Sequence, residues 1–281
     1  MNPDWLMPDW PAPPHVKAVF TSRGIAETGF ASKSGVSQPP FDAFNLGDHV
    51  GDDPTHVMAN RHMLQVLIGA KPVYLKQVHG IDVVTLQPKT PHGTVADACV
   101  TTQKRLACTI MVADCLPVLF TDLEGRFVAA AHAGWRGLAE GVLDVSVSAI
   151  LEKNTAVDGV FIDYNAIKII AWLGPCIGPS AFEVGAEVKA IFAEKLPHSA
   201  SFFKAIDDTD GEAKSAKYLV DLAGLARLNL QQLGISAQNI YGNDGGISWC
   251  TVSNSSRYFS HRRDAVRLAS SGRMAGCIWI E

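Results

Sequence analysis

The chain has 281 residues, 47% of them hydrophobic and 19% charged, with a formal net charge of -4. That is enough apolar material for a sizeable core, which excludes disorder, and without a Lys/Arg-rich block or basic aromatic stripe nucleic acid is not an expected partner. No apolar run reaches the roughly 18 residues of a membrane span, and six cysteines (99, 108, 115, 176, 250 and 277) with no CxxC pair point to a reduced, cytoplasmic protein rather than a disulfide framework.

In chain order, residues 1–14 read as an extended Pro/Trp-rich arm, followed by a strand over Val16 to Ser22 and a Gly/Ser/Pro-rich loop over 24–40. Asp53 and Pro54 are an N-cap and a first helical residue, and Gly69 closes the helix they open. Val73 to Val78 alternates as a strand that delivers His79-Gly80, with Ile81 to Leu86 expected as its hairpin partner. Helices are expected after Trp135, from Phe182 to Leu196, and from about Tyr218 to Leu233 with Gly234 as its cap. Ile167 to Leu173 is a buried strand running into Gly174-Pro175-Cys176, and Ala275 to Ile280 is the last strand. No repeat or linker divides the chain, so it reads as one domain over 1–281, with mixed sheets flanked by helices.

The centre of the chain carries the chemistry. Residues 106–120 are an apolar run broken by Asp114, Cys115 and Pro117. A turn at Asp122–Gly125 follows, then a second run that ends in His132. If Asp122 pairs with Gly125, Cys115 falls directly opposite His132, with Cβ atoms about 4.5–5.5 Å apart. A bulge at Pro117 would shift this register. A thiol and an imidazole so placed are either one edge of a metal site or a nucleophile–base pair. Alone, Cys115 would be a small buried hydrophobe and His79 a capping residue. His132, inside Ala129–Gly134, is harder to explain without a partner.

The segments LKQVHG (75–80), VADCLPVLF (112–120), AAHAGWRGL (130–138), GPCIG (174–178) and SSRYFSHRRD (255–264) resemble one family. It was once labelled laccase-domain or multicopper polyphenol oxidase, and is now described as zinc-dependent purine nucleoside phosphorylase and adenosine deaminase. Its bacterial members include the peptidoglycan editing factor. The resemblance runs from PDWPAP (8–13) to GRMA (272–275). It implies an α+β domain layered α/β/β/α, with zinc held by His79, Cys115 and His132. Cys99 and the stretch 161–167 depart from the family pattern without touching those positions.

Further candidates come from residue type and place. Asp114, beside a ligand, is a candidate to orient an imidazole. Cys176 lies in a Gly/Pro loop at a strand end, where reactive groups collect. Arg136 and Arg262 are candidate anion binders, and Asn45 is a candidate base or ribose contact; for each of these five there is an equally plain structural role. The expected activity is phosphorolysis of a purine nucleoside (adenosine, inosine or methylthioadenosine), with hydrolytic removal of the adenosine 6-amino group beside it. The alternatives are a peptidoglycan-precursor editing amidase, a metal-free Cys–His hydrolase, a zinc scaffold without activity and copper-dependent phenol oxidation. The last is disfavoured because the nine histidines form no HxH pair. The sequence sets no oligomeric state.

Overall fold

The computed structural model describes residues 4–24, 35–154, 168–206 and 216–281. Strand Val16–Phe20 (β1) precedes helix Pro54–Ile68 (α1). Six strands follow: Lys71–Tyr74 (β2), Val83–Thr85 (β3), Ala98–Thr101 (β4), Leu106–Val112 (β5), Leu116–Asp122 (β6) and Val128–Ala133 (β7). Helices Trp135–Glu140 (α2) and Val142–Asn154 (α3) lead to Ile169–Leu173 (β8), Glu183–Gly185 (β9) and Ala186–Lys195 (α4). Then come Phe203–Ala205 (β10), Lys217–Val220 (β11), Leu222–Gln232 (α5), Ile240–Gly242 (β12), His261–Leu268 (α6) and Met274–Ile280 (β13).

Side-chain alternation sorts these strands into layers. In β5, Leu106, Cys108, Ile110 and Val112 enter a core shared with Leu119, Ala130 and Trp172, while Ala107 and Met111 pack with Leu64 and Ile68 of α1. In β6, Leu116, Val118 and Phe120 turn the other way, onto Leu143 and Ile150 of α3 and Leu225 of α5. The result is α1, a four-stranded sheet (β1-β13-β5-β2), a six-stranded sheet (β12-β8-β6-β7-β4-β3), and a last layer that includes α3 and α5. This is the α/β/β/α order of an α+β fold. A small third sheet (β10-β11-β9) adjoins the last layer.

Several boundaries follow from capping chemistry. Asp53 accepts from the Thr55 N–H and Gly69 closes α1 in the left-handed region (φ 66°), as expected. The helix expected from Tyr218 begins instead at Leu222. Tyr218 belongs to β11, and the Asp221 carboxylate caps α5 by accepting from Gly224 N–H. Likewise Glu183–Gly185 is a strand, and its helix starts at Ala186. Helix α6 was not expected from the sequence, although its Ser260 cap, accepting from Arg263 N–H, was there to be read.

Three corrections bear on the site. The apolar run 106–120 is two strands in different sheets, and Ala113-Asp114-Cys115 is the corner between them. Residues 81–86 are not a hairpin partner of the preceding strand: β3 pairs in parallel with β4 in the six-stranded sheet. Finally, β6 and β7 pair with Pro117 opposite His132 and Leu116 opposite Ala133, two residues out from the expected register. The cause is a longer turn. Ladder pairing ends at Thr121–Val128, and the buried Asp122 carboxylate holds the loop by accepting from Arg126 N–H at 2.9 Å. Cys115 therefore lies just past the end of the ladder. The 161–167 stretch lies outside the described residues, as does most of the 24–40 loop.

Candidate metal centre

The site forms where the core between the two main sheets opens at one end. On β7, His132 shares its face with Val128 and Ala130, which belong to that core. Cys115 reaches the same spot from the corner between β5 and β6. His79 comes from the segment after β2, which has left its sheet but is pinned by side chains: Gln77 donates to the Met111 carbonyl and accepts from the Met111 N–H, both at 2.8 Å.

Asp97, at the entry to β4, holds the two histidines together. Its fully buried carboxylate accepts from the N–H groups of Val78, His79 and Gly80 at 3.0, 2.9 and 2.8 Å, and lies 2.8 Å from His132 Nδ1. Its carbonyl also accepts from His132 N–H at 2.7 Å. A proton on Nδ1 leaves the His132 Nε2 lone pair free for the cluster. The same contacts hold His79 at φ 60°, a backbone conformation that non-glycine residues adopt only where the surroundings enforce it. The imidazole-orienting role expected of Asp114 thus belongs to Asp97, which sequence reasoning missed; its one signal was an acid preceding a strand of small apolar residues.

Asp114 instead fixes the corner that carries Cys115. At φ 89° it accepts from Thr251 Oγ at 2.5 Å and from Arg262 N–H at 2.6 Å, while its carbonyl accepts from Ile177 N–H. Gly134 makes the close approach possible. A Cβ there would stand 2.8 Å from His79 Cδ2 and 3.0 Å from Cys115 Sγ. Gly134→Ala is accordingly expected to keep the fold, because the clash falls on the side chains of the candidate donors, and to lower the affinity for added zinc at least tenfold on the scale of ligand-orienting mutations. Chelator competition on the purified variant checks this, and unchanged affinity would contradict it.

The ligating atoms of His79, Cys115 and His132 all lie within 4.8 Å of one another, and among the described residues this is the cluster that could hold an ion. Cys115 Sγ is 3.6 Å from His79 Nε2, matching the edge of about 3.6 Å that a tetrahedron with Zn–N near 2.0 Å and Zn–S near 2.3 Å requires. Burial disfavours the Cys115 thiolate, but the His132 charge and hydrogen bonds from both histidines outweigh it and bring the thiol down to about 6. For His132, burial opposes the proton, yet Cys115 and Asp97 raise it to about 9. The donors suit zinc, and three protein ligands leave a fourth position free.

A cavity of about 850 Å³ opens over the cluster, with Trp135, Phe182 and Tyr74 among its walls and Arg61, Arg136, Arg262 and Arg273 as charged lining. Asp114, Arg136 and Arg262 line it. The Arg262 guanidinium is engaged with the carbonyls of Ala181 and Glu183 at 3.3 and 3.1 Å, and exposed Arg136 stacks on Trp135 at 4.4 Å. Cys176 and Asn45 do not line it. Cys176 is a buried thiol between the Ile177 carbonyl and the Asn243 amide, its pKa pushed well up by burial. Asn45 is fully buried, with its amide spent on Gly47, Asp52 and the Arg273 N–H, so it builds a turn.

The sequence model of a family described as multi-copper polyphenol oxidoreductase laccase matches residues 27–281. The chain belongs to that family. A curated relative from Pseudomonas aeruginosa, named purine nucleoside phosphorylase, is 42% identical over 99% of this chain and 98% of its own length. The Escherichia coli K12 relative, with the same enzyme name, is 41% identical over 98% of both. Among solved structures, a Neisseria meningitidis protein of the DUF152 family is 39% identical and superposes with a TM-score of 0.82 over 99% of both chains. A Bacillus licheniformis hypothetical protein superposes with a TM-score of 0.79 at 26% identity, over 95% of this chain and 93% of that one. This family member has no helix, among the described residues, long and apolar enough to cross a membrane.

Proposed function

We propose that the protein is a cytoplasmic, zinc-dependent purine nucleoside phosphorylase acting on adenosine, inosine and methylthioadenosine, with adenosine deamination as a second activity of the same site. The observation that carries this is the three-donor cluster at the wall of a large cavity that combines aromatic and cationic side chains. Curated relatives over 40% identical along nearly the whole chain are named for phosphorolysis. An aromatic wall suits a flat base, and guanidinium groups suit phosphate. A bound zinc would supply Lewis acidity at an oxygen or activate water. The residues themselves bind and orient: Trp135 and Phe182 would line the base-binding part of the cavity, while His79, Cys115 and His132, positioned by Asp97 and the Asp114 corner, would hold the ion.

In phosphorolysis a hydrogen phosphate oxygen forms a bond to C1′, the C1′–N9 bond breaks with its electron pair moving to N9, and the proton given up by the phosphate ends on the base. Deamination adds water at C6 and releases ammonia. The test is metal content together with adenosine turnover, with and without phosphate, for wild type and Cys115→Ala. One zinc per chain, phosphate-dependent adenine release and loss of both in the variant are expected. Zinc bound without nucleoside turnover would favour the amidase alternative.

The Asp97–His132–Cys115 chain supports one rival, a metal-free hydrolase in which Cys115 attacks and His132 is the base. Full activity after exhaustive chelation would select it and remove the zinc proposal.

A further inference from the structure

Of the cationic side chains on the cavity wall, Arg61 is paired with Asp48 at 3.1 Å and Arg262 is spent on two carbonyls. Lys76 and Arg136 are exposed, so water can solvate them. Arg273 differs. It is half-buried, and among the described residues no carboxylate lies within ion-pair distance of it; its Nη1 donates to the carbonyls of Ser271 and Gly272 at 2.7 and 3.1 Å. A poorly solvated guanidinium without a counter-charge is an unsatisfied group, and a phosphate or other oxyanion matches its donor fork.

The chain holds this arginine in place. Asn45 Oδ1 accepts from Arg273 N–H at 2.8 Å, and Leu46 N–H donates to the Arg273 carbonyl at 3.1 Å. At Gly47 a Cβ would stand 2.7 Å from Arg273 Cγ, so only glycine leaves room for the arginine stem. The Phe44–Gly47 loop, far away in sequence, is thus the frame of Arg273. The fields of Cys115 and Asp114 favour the charged form of the guanidinium, against the larger effect of the burial that disfavours it. Asp114 already accepts from Thr251 and Arg262, and Cys115 belongs to the donor cluster, so neither neutralises Arg273.

We propose that Arg273 is the oxyanion anchor of the cavity and binds the phosphate group, inorganic or carried on the sugar product, beside the His79–Cys115–His132 cluster. The role of that phosphate rests on the phosphorylase proposal, whereas the anion site stands on geometry alone. Calorimetric titration of the zinc-loaded protein with inorganic phosphate, and separately with ribose 1-phosphate, tests it in wild type, Arg273→Gln and Arg273→Lys. Wild type is expected to bind, and Arg273→Gln to weaken binding roughly 10- to 100-fold, the worth of charge-assisted hydrogen bonds to phosphate. Arg273→Lys, which keeps the charge and loses the fork, should fall between. KM for phosphate should rise in parallel while zinc content and KM for adenosine hold.

Wild-type phosphate affinity in Arg273→Gln, or no binding of either ligand by wild type, overturns the site. Should the glutamine variant not fold, undiminished affinity in Arg273→Lys overturns it equally. The two proposals fail separately. Phosphate bound through Arg273 without adenosine phosphorolysis keeps the site and sinks the phosphorylase, and phosphorolysis indifferent to Arg273→Gln does the reverse.

Discussion

Asp97→Ala is expected to weaken zinc binding by roughly 10- to 100-fold, the range for ligand-orienting partners of metal sites, and to lower the melting temperature of the metal-free protein as well. The carboxylate accepts from three consecutive N–H groups and lies 2.8 Å from the His132 ring. Water can reach Val78 and His79, which are exposed, and replace part of what is lost there. It cannot easily reach His132, 4% exposed, and an unsatisfied buried donor costs about 1–3 kcal/mol. Two independent effects should appear. His79 loses the contacts that hold φ at 60°, and His132 loses the partner that selects its tautomer.

The same carboxylate sets an acid response. Burial raises the Asp97 pKa, but the His132 hydrogen bond and those from Val78 and Gly80 more than offset it, so the group is held below the ordinary carboxylate value of 3.8. As pH falls, the unfolded chain takes up this proton before the folded one does. The stabilisation is present above the ordinary value and lost as pH falls through the folded value. Between pH 5 and 3, melting of metal-free wild type should drop more steeply than that of Asp97→Ala. Parallel curves, or wild-type zinc affinity in the variant, would sink the role assigned to Asp97.

What the sequence disclosed about this site divides along physical lines. Local signals were legible: the Asp53 cap, Pro54 and Gly69 define α1 because capping involves neighbours in the chain. Hairpin spacing places Cys115 opposite His132 and misses by two residues, because the Asp122 carboxylate supports a wider turn than a two-residue loop. The run 106–120 looked like one strand since both halves are buried on two faces, and hydropathy alone does not say that the chain changes sheet at Asp114. Asp97 and Arg273 left little trace in the sequence for a different reason. Each acts through partners far away in sequence, and a lone Asp or Arg beside a strand has no pattern of its own. His79 entered through family resemblance; the contact that places it, Asp97, is 18 residues further on.

The metal-free protein should also betray its cluster through one fast thiol. Cys115 is half-buried beside His132 and His79, whereas the other five cysteines are buried; burial raises Cys108 and Cys176 well above the ordinary range and Cys277 to about 12. With its pKa near 6 instead of the ordinary 9.0, Cys115 would be about half thiolate at pH 6, where an ordinary thiol is about one part in a thousand. The thiolate of a more acidic thiol is intrinsically less nucleophilic, by about 20-fold over three pKa units. The roughly 500-fold gain in thiolate therefore shrinks to a net acceleration of roughly 20-fold in alkylation by iodoacetamide at pH 6. The rate should rise through pH 6 and level off, because above that pH the thiol is already ionised. His132→Ala removes the largest stabiliser of the thiolate and should move the rise upward. Zinc, by occupying the sulfur lone pair, should suppress the reaction at every pH. A half-rise at the ordinary thiol value in wild type, or alkylation indifferent to zinc, would mean that Cys115 and the histidines do not act as one unit, and the metal centre would lose its thiolate ligand.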